Sequence, residues 1–207
     1  MKKYRAYLLD FDGTTFDTEA SLYPVYRAAF ATIGMDCSKE QASRYLHMAL
    51  PQTVAERHVD PKDFAKFGQA LAEAIDSPEA LAMVKPFPEL GEFLKRIHEM
   101  GIPALIVTGN TETHVKKLLS IHRLSSYIRD IVGYGDYQSP KPSGEPCLVG
   151  CQKRGLSPSH DVVYVGDSLQ DIASGNHAGI DAVLIDRENA NPEFHGAKIS
   201  SLLELLD

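Results

Sequence analysis

The chain has 207 residues, a length that suits one domain or a domain with a sizeable insertion. Its 28 acidic and 21 basic residues give a net charge of −7, which argues against a general nucleic-acid-binding surface. Hydrophobic residues make up 43% of the chain, enough for a core, but no apolar stretch approaches the roughly 20 residues that cross a membrane.

The first predicted element is a strand over Tyr4–Phe11, built on the apolar run at residues 6–9. The basic residues before it are not followed by the apolar region and cleavage site of a secretory signal, so we expect a cytoplasmic protein. The strand leads into Asp10-Phe11-Asp12-Gly13-Thr14. Because a buried carboxylate is costly unless a cation or hydrogen-bond donors compensate it, two carboxylates beside a turn-forming glycine predict a metal site.

Residues 18–85 are predicted to form a helical domain, inserted into a core made of residues 1–17 and 86–207. The predicted helices of this insertion are Glu19–Ile33, Lys39–His47, Thr53–His58 and Asp63–Ile75. In the first of them, apolar residues recur every three or four positions, which is typical of one helix face. We expect the two crossings between the domains near residues 16–18 and 86–88.

The rest of the chain alternates helix and strand, which predicts an α/β fold with a mostly parallel sheet and helices on both faces. The predicted helices are Pro88–Met100, Glu112–Ile121, Glu145–Lys153, Leu169–His177 and Ser200–Leu206. The predicted strands are Pro103–Thr108, Arg129–Gly133, Asp161–Gly166 and Ala182–Ile185.

A second acidic block follows the strand at residues 161–166. It contains Asp167 and Asp171 in Gly166-Asp167-Ser168-Leu169-Gln170-Asp171. Ligands of open α/β sheets bind outside the carboxyl ends of the parallel strands. We therefore expect Asp10, Asp12, Asp167 and Asp171 to surround one point. For Asp171 alone, a simple partner of the helix dipole is nearly as good an interpretation.

Four blocks in this order resemble the haloacid dehalogenase superfamily. They are Asp10 to Thr14, Leu105-Ile106-Val107-Thr108-Gly109-Asn110, Ser139-Pro140-Lys141-Pro142, and Gly166 to Asp171. The chain is similar to the phosphoglycolate-phosphatase and β-phosphoglucomutase branch, in which a helical cap follows the first block. The resemblance implies a Rossmann-like three-layer α/β/α core, a cap at residues 18–85, and an Mg²⁺-dependent phosphatase of small phosphorylated metabolites.

The resemblance also implies roles for the acids. Asp10 would be the nucleophile that forms an aspartyl-phosphate, and Asp12 would protonate the leaving alcohol and later deprotonate water. Asp10, Asp167 and the Asp12 backbone carbonyl would hold Mg²⁺, which prefers oxygen ligands. Asp171 would orient a metal-bound water or Lys141. Beside Mg²⁺ and Lys141, Asp10 is expected to stay ionised at neutral pH.

Thr108, Gly109, Asn110 and Lys141 are expected at the phosphate. The Thr108 hydroxyl and the Gly109 N–H can donate to phosphate oxygens, with Asn110 as a further candidate, although Gly-Asn is also common in simple turns. Lys141 supplies a positive charge for Asp10 and for the phosphoryl group. Gly144 stands where the family usually has a second proline, which puts the rigidity of this loop in question.

Substrate specificity is assigned to the predicted cap. Arg44, His47, Gln52 and Thr53 match the position of the family's cap loop that reaches over the substrate, so they are candidate substrate-binding residues. Thr15 stands where the family usually has an apolar residue, which points to a different turn into the cap.

The three cysteines do not make a disulfide framework. Cys147 and Cys151 lie four residues apart, but buried thiols of a cytosolic protein are favoured over metal ligands. The histidines show no metal-binding spacing, so zinc is not expected.

Other functions remain as alternatives. A sugar-phosphate mutase uses the same aspartyl-phosphate, and the first two blocks do not separate it from a phosphatase. Phosphonate hydrolysis needs a cap lysine close to the scissile bond, and it is disfavoured because Lys39, Lys62 and Lys66 stand in no special sequence context. Haloacid dehalogenation is disfavoured because it needs neither Asp12 nor a metal. A receiver-like phospho-acceptor module is disfavoured because receivers are shorter and lack both the insertion and the Asp-x-Asp-Gly-Thr block. A non-catalytic relative that only binds is disfavoured because Asp10, Asp12 and Lys141 are all present. The expected partner is a small-molecule phosphate ester, without nucleic acid or membrane, and both a monomer and a dimer are compatible with the sequence.

Overall fold

The computed structural model describes residues 3–45, 48 and 50–206. The chain divides into two compact units, one formed by Met1–Phe16 with Pro86–Asp207 and the other by Asp17–Lys85. Within the described residues, no helix combines the length and the apolar character that a membrane span requires.

Short strands and helices make up most of the described chain. The strands are β1 (Ala6–Leu9), β2 (Phe16–Asp17), β3 (Lys85–Pro86), β4 (Ala104–Val107), β5 (Ile128–Val132), β6 (Val162–Gly166), β7 (Asp181–Ile185) and β8 (Lys198–Ile199). The helices are α1 (Glu19–Ala31), α2 (Lys39–Arg44), α3 (Leu50–Glu56), α4 (Phe64–Ile75), α5 (Pro78–Met83), α6 (Leu90–Glu99), α7 (Glu112–Ile121), α8 (Glu145–Lys153) and α9 (Leu169–His177). Two 3₁₀ turns lie at Pro61–Asp63 and Leu202–Leu205.

The first unit is built on a six-stranded parallel sheet in the order β5-β4-β1-β6-β7-β8. Strands β1, β4 and β6 are apolar throughout and fully buried, as expected for the centre of a parallel sheet that is covered on both faces. This sheet confirms the predicted α/β fold. Because β1 lies between β4 and β6, the loops that follow these three strands meet at one edge.

Helices pack on both faces of the sheet because successive side chains of a strand point in opposite directions. On one face, Leu8 packs against α8, where Gly150 allows a close approach. On the other face, the Tyr7 ring meets Phe93 of α6 edge-on, with 5.2 Å between ring centroids. Cys147 and Cys151 are buried in the first of these layers as free thiols, as predicted.

The second unit contains α1 to α5 and has its own apolar core. Tyr26, Phe30, Tyr45 and Phe67 lie in this core, and the rings of Phe30 and Phe67 are 4.6 Å apart. Strands β2 and β3, at the two crossings between the units, pair with each other as a small two-stranded sheet.

Several predicted helix boundaries are wrong, and one helix was missed. Helix α3 begins at Leu50 rather than at residue 53, and α2 ends at Arg44 rather than at residue 47. Helix α5 was not predicted, although Ser77 caps it by accepting a hydrogen bond from the Ala80 N–H, and a proline fills its first turn. The predicted closing helix at residues 200–206 is a single 3₁₀ turn after the short strand β8.

Candidate active site

The carboxyl ends of three neighbouring strands bring together the residues that the sequence pattern singled out. Asp10 follows β1, Thr108 follows β4, and Asp167 follows β6. The Asp10 N–H donates to the Val165 carbonyl at 2.8 Å, so the pairing of β1 with β6 continues up to the acid itself. The position of Asp10 is therefore fixed by the sheet.

Lys141 connects the two acidic blocks. Its ammonium donates to Asp10 Oδ1 at 2.7 Å, to Asp171 Oδ1 at 2.6 Å and to the Tyr164 hydroxyl at 3.0 Å. Asp10 is 5% exposed and Asp171 is 1% exposed, so both ion pairs lie almost entirely out of water. Lys141, whose side chain is 18% exposed, is thus a partly buried counter-charge for two carboxylates rather than a solvated surface lysine.

The cluster holds more negative charge than Lys141 compensates. Burial raises the pKa of Asp10 well above its ordinary value, and Lys141 opposes this shift while Asp171 and Asp167 add to it. Burial and the nearby Asp171 also raise the pKa of Asp167 to about 7. Burial acts on Asp171 too, but Lys141 and several hydrogen bonds outweigh it and lower the pKa of that carboxyl. Burial and the neighbouring acids therefore disfavour the ionised form of Asp10, whereas Lys141 favours it and a bound cation would favour it further.

Both oxygens of Asp171 are occupied by protein donors. Oδ1 accepts from Lys141 and lies 2.9 Å from the Tyr164 hydroxyl, while Oδ2 accepts from the Ser168 N–H at 3.1 Å and its hydroxyl at 2.5 Å. Gly166 makes room for this carboxylate, because an added Cβ would overlap the Asp171 side chain. These contacts go beyond those of a simple helix-dipole partner and suit a residue that orients Lys141.

The donor set fits a hard divalent cation. Carboxylate oxygens of Asp10, Asp167 and Asp171 lie within 4.8 Å of one another. Oxygen ligands at such spacing suit Mg²⁺, and Asp10 and Asp167 are the better candidates because Asp171 is held by Lys141. Gly13, at φ +69°, lies so close to Asp167 that an added Cβ would overlap its carboxylate. Only glycine therefore allows the first block to approach the second.

Asp12 is held by the loop that follows β4. Its Oδ2 accepts from the Asn110 side-chain amide at 2.6 Å, and the Asn110 N–H donates to Thr108 Oγ1 at 3.1 Å. Thr108 is buried and Gly109 is exposed in the same loop. Asn110, which was predicted at the phosphate, thus contacts the predicted acid–base residue.

Polar contacts hold the Lys141 loop, in which the second proline of the family is missing. The Glu145 carboxylate accepts from the Gln138 N–H at 2.9 Å and from the Ser139 N–H at 2.8 Å. A Cβ at Gly144 would lie 2.6 Å from the Ala178 nitrogen, so a proline ring could not fit there. The departure from the family pattern follows from this close packing.

Arg187, which sequence reasoning did not single out, fastens the turn of the first block. At the end of β7, its guanidinium donates to the Gly13 and Thr14 carbonyls, each at 2.9 Å, and to Glu89 at 2.7 Å. The Cζ atom of the Arg187 guanidinium lies 3.6 Å from the centre of the Phe87 ring. Because its partners are mainly backbone carbonyls, no side-chain pattern in the sequence points to this contact.

Thr15 and Tyr164 are two further residues whose contacts were not predicted. The buried Thr15 hydroxyl lies 2.9 Å from the Asp10 carbonyl and 3.0 Å from the Phe11 carbonyl, to either of which it can donate. This contact accounts for a polar residue where the family usually has an apolar one. Tyr164 interrupts a run of valines in β6, which is the one signal that marks it in the sequence.

The residues assigned to the cap loop belong to the second unit, and their role in substrate binding stays a prediction. Arg44 forms an ion pair with Glu56 at 2.8 Å, and Gln52 is exposed. Thr53 is buried, and its hydroxyl has no hydrogen-bond partner among the described residues. His47 lies outside the described residues.

Comparison with known proteins gives the family. The sequence model of the haloacid dehalogenase-like hydrolases matches residues 7–185. The N-acetylmuramic acid 6-phosphate phosphatase of Pseudomonas aeruginosa is 26% identical, with 95% of this chain and 89% of that protein covered. The phosphoglycolate phosphatase of Psychrobacter arcticus is 24% identical, with 85% of this chain and 80% of that protein covered.

The fold is shared with solved structures as well. A haloacid dehalogenase-like family hydrolase from Streptococcus pneumoniae superposes with a TM-score of 0.80 at 16% identity, with 98% of this chain and 97% of the other covered. The family match contains all four blocks that carry the site residues. The chain therefore belongs to the haloacid dehalogenase-like hydrolase family.

Proposed function

We propose that this hydrolase is an Mg²⁺-dependent phosphatase that acts on a small phosphorylated metabolite through an aspartyl-phosphate on Asp10. The observation that carries the proposal is the buried cluster in which Asp10 is paired with Lys141 and lies beside Asp167. Such a cluster offers a nucleophile, a fixed positive charge and oxygen ligands within one site. The names of the two relatives above specify N-acetylmuramic acid 6-phosphate and phosphoglycolate, and both support this substrate class.

The reaction consists of two displacements at phosphorus. In the first, an Asp10 oxygen attacks the phosphorus, the bond to the ester oxygen breaks, and Asp12 gives a proton to the leaving alcohol. In the second, Asp12 takes a proton from water, the water oxygen attacks the phosphorus, and the Asp10 carboxylate leaves. Lys141 and the Thr108 hydroxyl donate to phosphoryl oxygens in both steps.

Asp10, Asp167 and the Asp12 backbone carbonyl are the groups that would hold Mg²⁺. The bound ion supplies positive charge for the phosphoryl oxygens. Its charge would act with Lys141 against burial and the neighbouring acids, which raise the pKa of Asp10.

We further infer that the Asp17–Lys85 unit is the cap and that Arg44, His47, Gln52 and Thr53 select the substrate. The free, buried state of the three cysteines supports a reducing, cytoplasmic environment.

The first test measures turnover of an aryl phosphate by chelator-treated protein, before and after Mg²⁺ is added back. Turnover should be lost in the chelator and should return with Mg²⁺. Asp10→Asn should give no phosphate adduct by intact-mass spectrometry after rapid acid quench. Asp12→Asn should accumulate the adduct, because the attacking water has lost its base. Asp161→Asn, an exposed acid before β6, is the matched control and should behave as wild type.

Two results would refute the proposal. One is undiminished turnover in excess chelator, and the other is a phosphate adduct that persists in Asp10→Asn. Release of inorganic phosphate in equal amount to the alcohol distinguishes hydrolysis from return of the phosphate to a sugar, as a mutase would perform.

A further inference from the structure

All the hydrogens of the Lys141 ammonium are used within the protein. An ammonium group carries three N–H donors. The three acceptors are Asp10 Oδ1 at 2.7 Å, Asp171 Oδ1 at 2.6 Å and the Tyr164 hydroxyl at 3.0 Å. A phosphoryl group arriving at Asp10 can therefore receive a hydrogen from Lys141 only if one of these acceptors gives it up.

The Tyr164 hydroxyl is the acceptor whose loss costs least. Asp10 and Asp171 are carboxylates at shorter distances, and hydrogen bonds between ionised partners are roughly twice as strong as neutral ones. The hydrogen bond to Tyr164 is longer. Its acceptor is also uncharged, since burial raises the pKa of Tyr164 well above the ordinary value and keeps the phenol protonated. Exchange of this one contact leaves both ion pairs of Lys141 intact.

Tyr164 also keeps its own hydrogen bonded after the exchange. Its single O–H can donate to Asp171 Oδ1 at 2.9 Å or to the Val107 carbonyl at 3.2 Å. The side chain is 0% exposed, so the ring cannot swing away and the oxygen stays where the ammonium can return to it. The contact with Lys141 can thus break without leaving a buried O–H unpaired.

We propose that Tyr164 is a positioning residue whose hydroxyl holds the third N–H of Lys141 in the ligand-free site and releases it to the phosphoryl group. The inference rests on the proposed function, because it concerns phosphate binding at Asp10. It predicts that the Tyr164 hydroxyl competes with phosphate for Lys141.

The test is the affinity of the protein for inorganic phosphate in the presence of Mg²⁺, measured by isothermal titration calorimetry. Tyr164→Phe leaves one N–H of Lys141 without its acceptor, so phosphate should bind about threefold to tenfold more tightly, the effect of one modest hydrogen bond. The KM for an aryl phosphate should fall in the same variant. If Tyr164 served only in packing, phosphate binding would be unchanged or weaker in this variant.

Tyr7→Phe is the matched control, because Tyr7 is 2% exposed in the adjacent strand β1 and packs against Phe93 on the other face of the sheet. Its phosphate affinity should equal that of the wild type. In a second variant, 3-fluorotyrosine at position 164 keeps the hydroxyl but makes its oxygen a weaker acceptor, so phosphate should again bind more tightly, by a smaller factor. This variant retains the ring and hydroxyl and so serves if Tyr164→Phe does not fold.

Unchanged or weaker phosphate binding in these two Tyr164 variants would overturn the role of Tyr164 while leaving the proposed function standing. Failure of the wild-type protein to bind phosphate with Mg²⁺ would instead overturn the proposed function, and the inference with it.

Discussion

The side chain of Asn110 lies against a carboxylate, whereas its place in the sequence suggested a contact with phosphate. Its amide donates to Asp12 Oδ2 at 2.6 Å. A donor at this distance fixes the orientation of the carboxylate that must exchange a proton with the leaving oxygen. We therefore expect Asn110 to act on proton transfer more than on phosphate binding.

Asn110→Ala should separate these two roles. For alkyl phosphates we expect kcat/KM to fall about tenfold or more, because general acid–base catalysis contributes about 10²–10⁴-fold. For 4-nitrophenyl phosphate, whose leaving group needs little protonation, we expect a loss of less than about threefold. The measurement is kcat/KM on both ester types with Mg²⁺ present. Equal losses on both would return Asn110 to the phosphate-binding role.

At the scale of elements, Arg187 ties together three segments that are distant in the sequence. It stands at the end of β7, donates to the turn after β1, and pairs with Glu89 in the segment between β3 and α6. The turn that carries Asp12 and faces Asp167 is thus held by a residue that follows β7, a strand separated from β1 by β6.

Arg187→Met should loosen this turn without unfolding the protein. We expect kcat to fall about tenfold or more, since a small displacement of a positioned group is costly in rate. We expect the free energy of unfolding to fall by about 1–3 kcal/mol, because two backbone carbonyls and Glu89 lose a partly buried donor. Urea unfolding and steady-state kinetics measure the two effects.

Arg154→Met is the control for this substitution, because Arg154 pairs with Asp130 at 3.1 Å and the two side chains are 34% and 28% exposed. Its stability should change by less than about 1 kcal/mol and its kcat should not change. An equal fall of kcat in both variants would argue that Arg187 has no special connection with the turn.

The strands that carry the site were predictable because their apolar runs stand out, and the acids at their ends contrast with those runs. The meeting of Asp10 and Asp167 at one edge of the sheet was therefore predictable from the pattern alone. Tyr164 was not, since a tyrosine in a buried strand has the pattern of an ordinary core residue. The role of Arg187 was not predictable either, because it binds backbone carbonyls 174 and 173 residues away.

The boundaries of α3 and α5 were the least predictable parts of the fold. Helix α5 has only six residues and depends on a cap at Ser77, so it lacks the several turns over which an apolar period becomes visible. The longer helices of the first unit, with three or more apolar positions on one face, show that period clearly in the sequence.

At the scale of the whole molecule, the crowding of carboxylates predicts a link between metal and stability. The pKa of Asp167 is raised to about 7, so the folded protein holds this proton more tightly than the unfolded chain does. Its stabilising contribution is present below the unfolded value and is lost as the pH rises through about 7. At pH 8 without metal, the ionised Asp167 therefore destabilises the fold.

Asp167→Asn should consequently raise the melting temperature of chelator-treated protein at pH 8, because it removes a negative charge that the neighbouring carboxylates repel. Mg²⁺ at 100 times its Kd should stabilise the wild type by about 2.7 kcal/mol through binding to the folded state, and Asp167→Asn should lose most of this gain. Thermal unfolding with chelator and with Mg²⁺ measures both effects. A variant that is less stable than wild type in chelator would contradict the charge argument.

The proposed role of the second unit in substrate selection is tested by the order in which the protein prefers its substrates. If Arg44 contacts substrate, Arg44→Ala should change the ranking of metabolite phosphates more than it changes aryl-phosphate turnover. Glu56→Ala is the matched control, because it breaks the same ion pair from the other side. Identical shifts in both variants would show that the ion pair, rather than contact with substrate, is responsible.

The strand order of the first unit has a consequence for how the protein is made. The central strand β1 pairs with β4 and β6, and β4 begins roughly 95 residues after β1 ends. At a translation rate of about 5–20 residues per second, β1 waits roughly 5–20 s for its first neighbour. During that interval an apolar strand with unpaired edges is exposed on the nascent chain, together with the acids that follow it. A strand from the middle of the finished sheet is therefore exposed early in synthesis and needs protection on the ribosome.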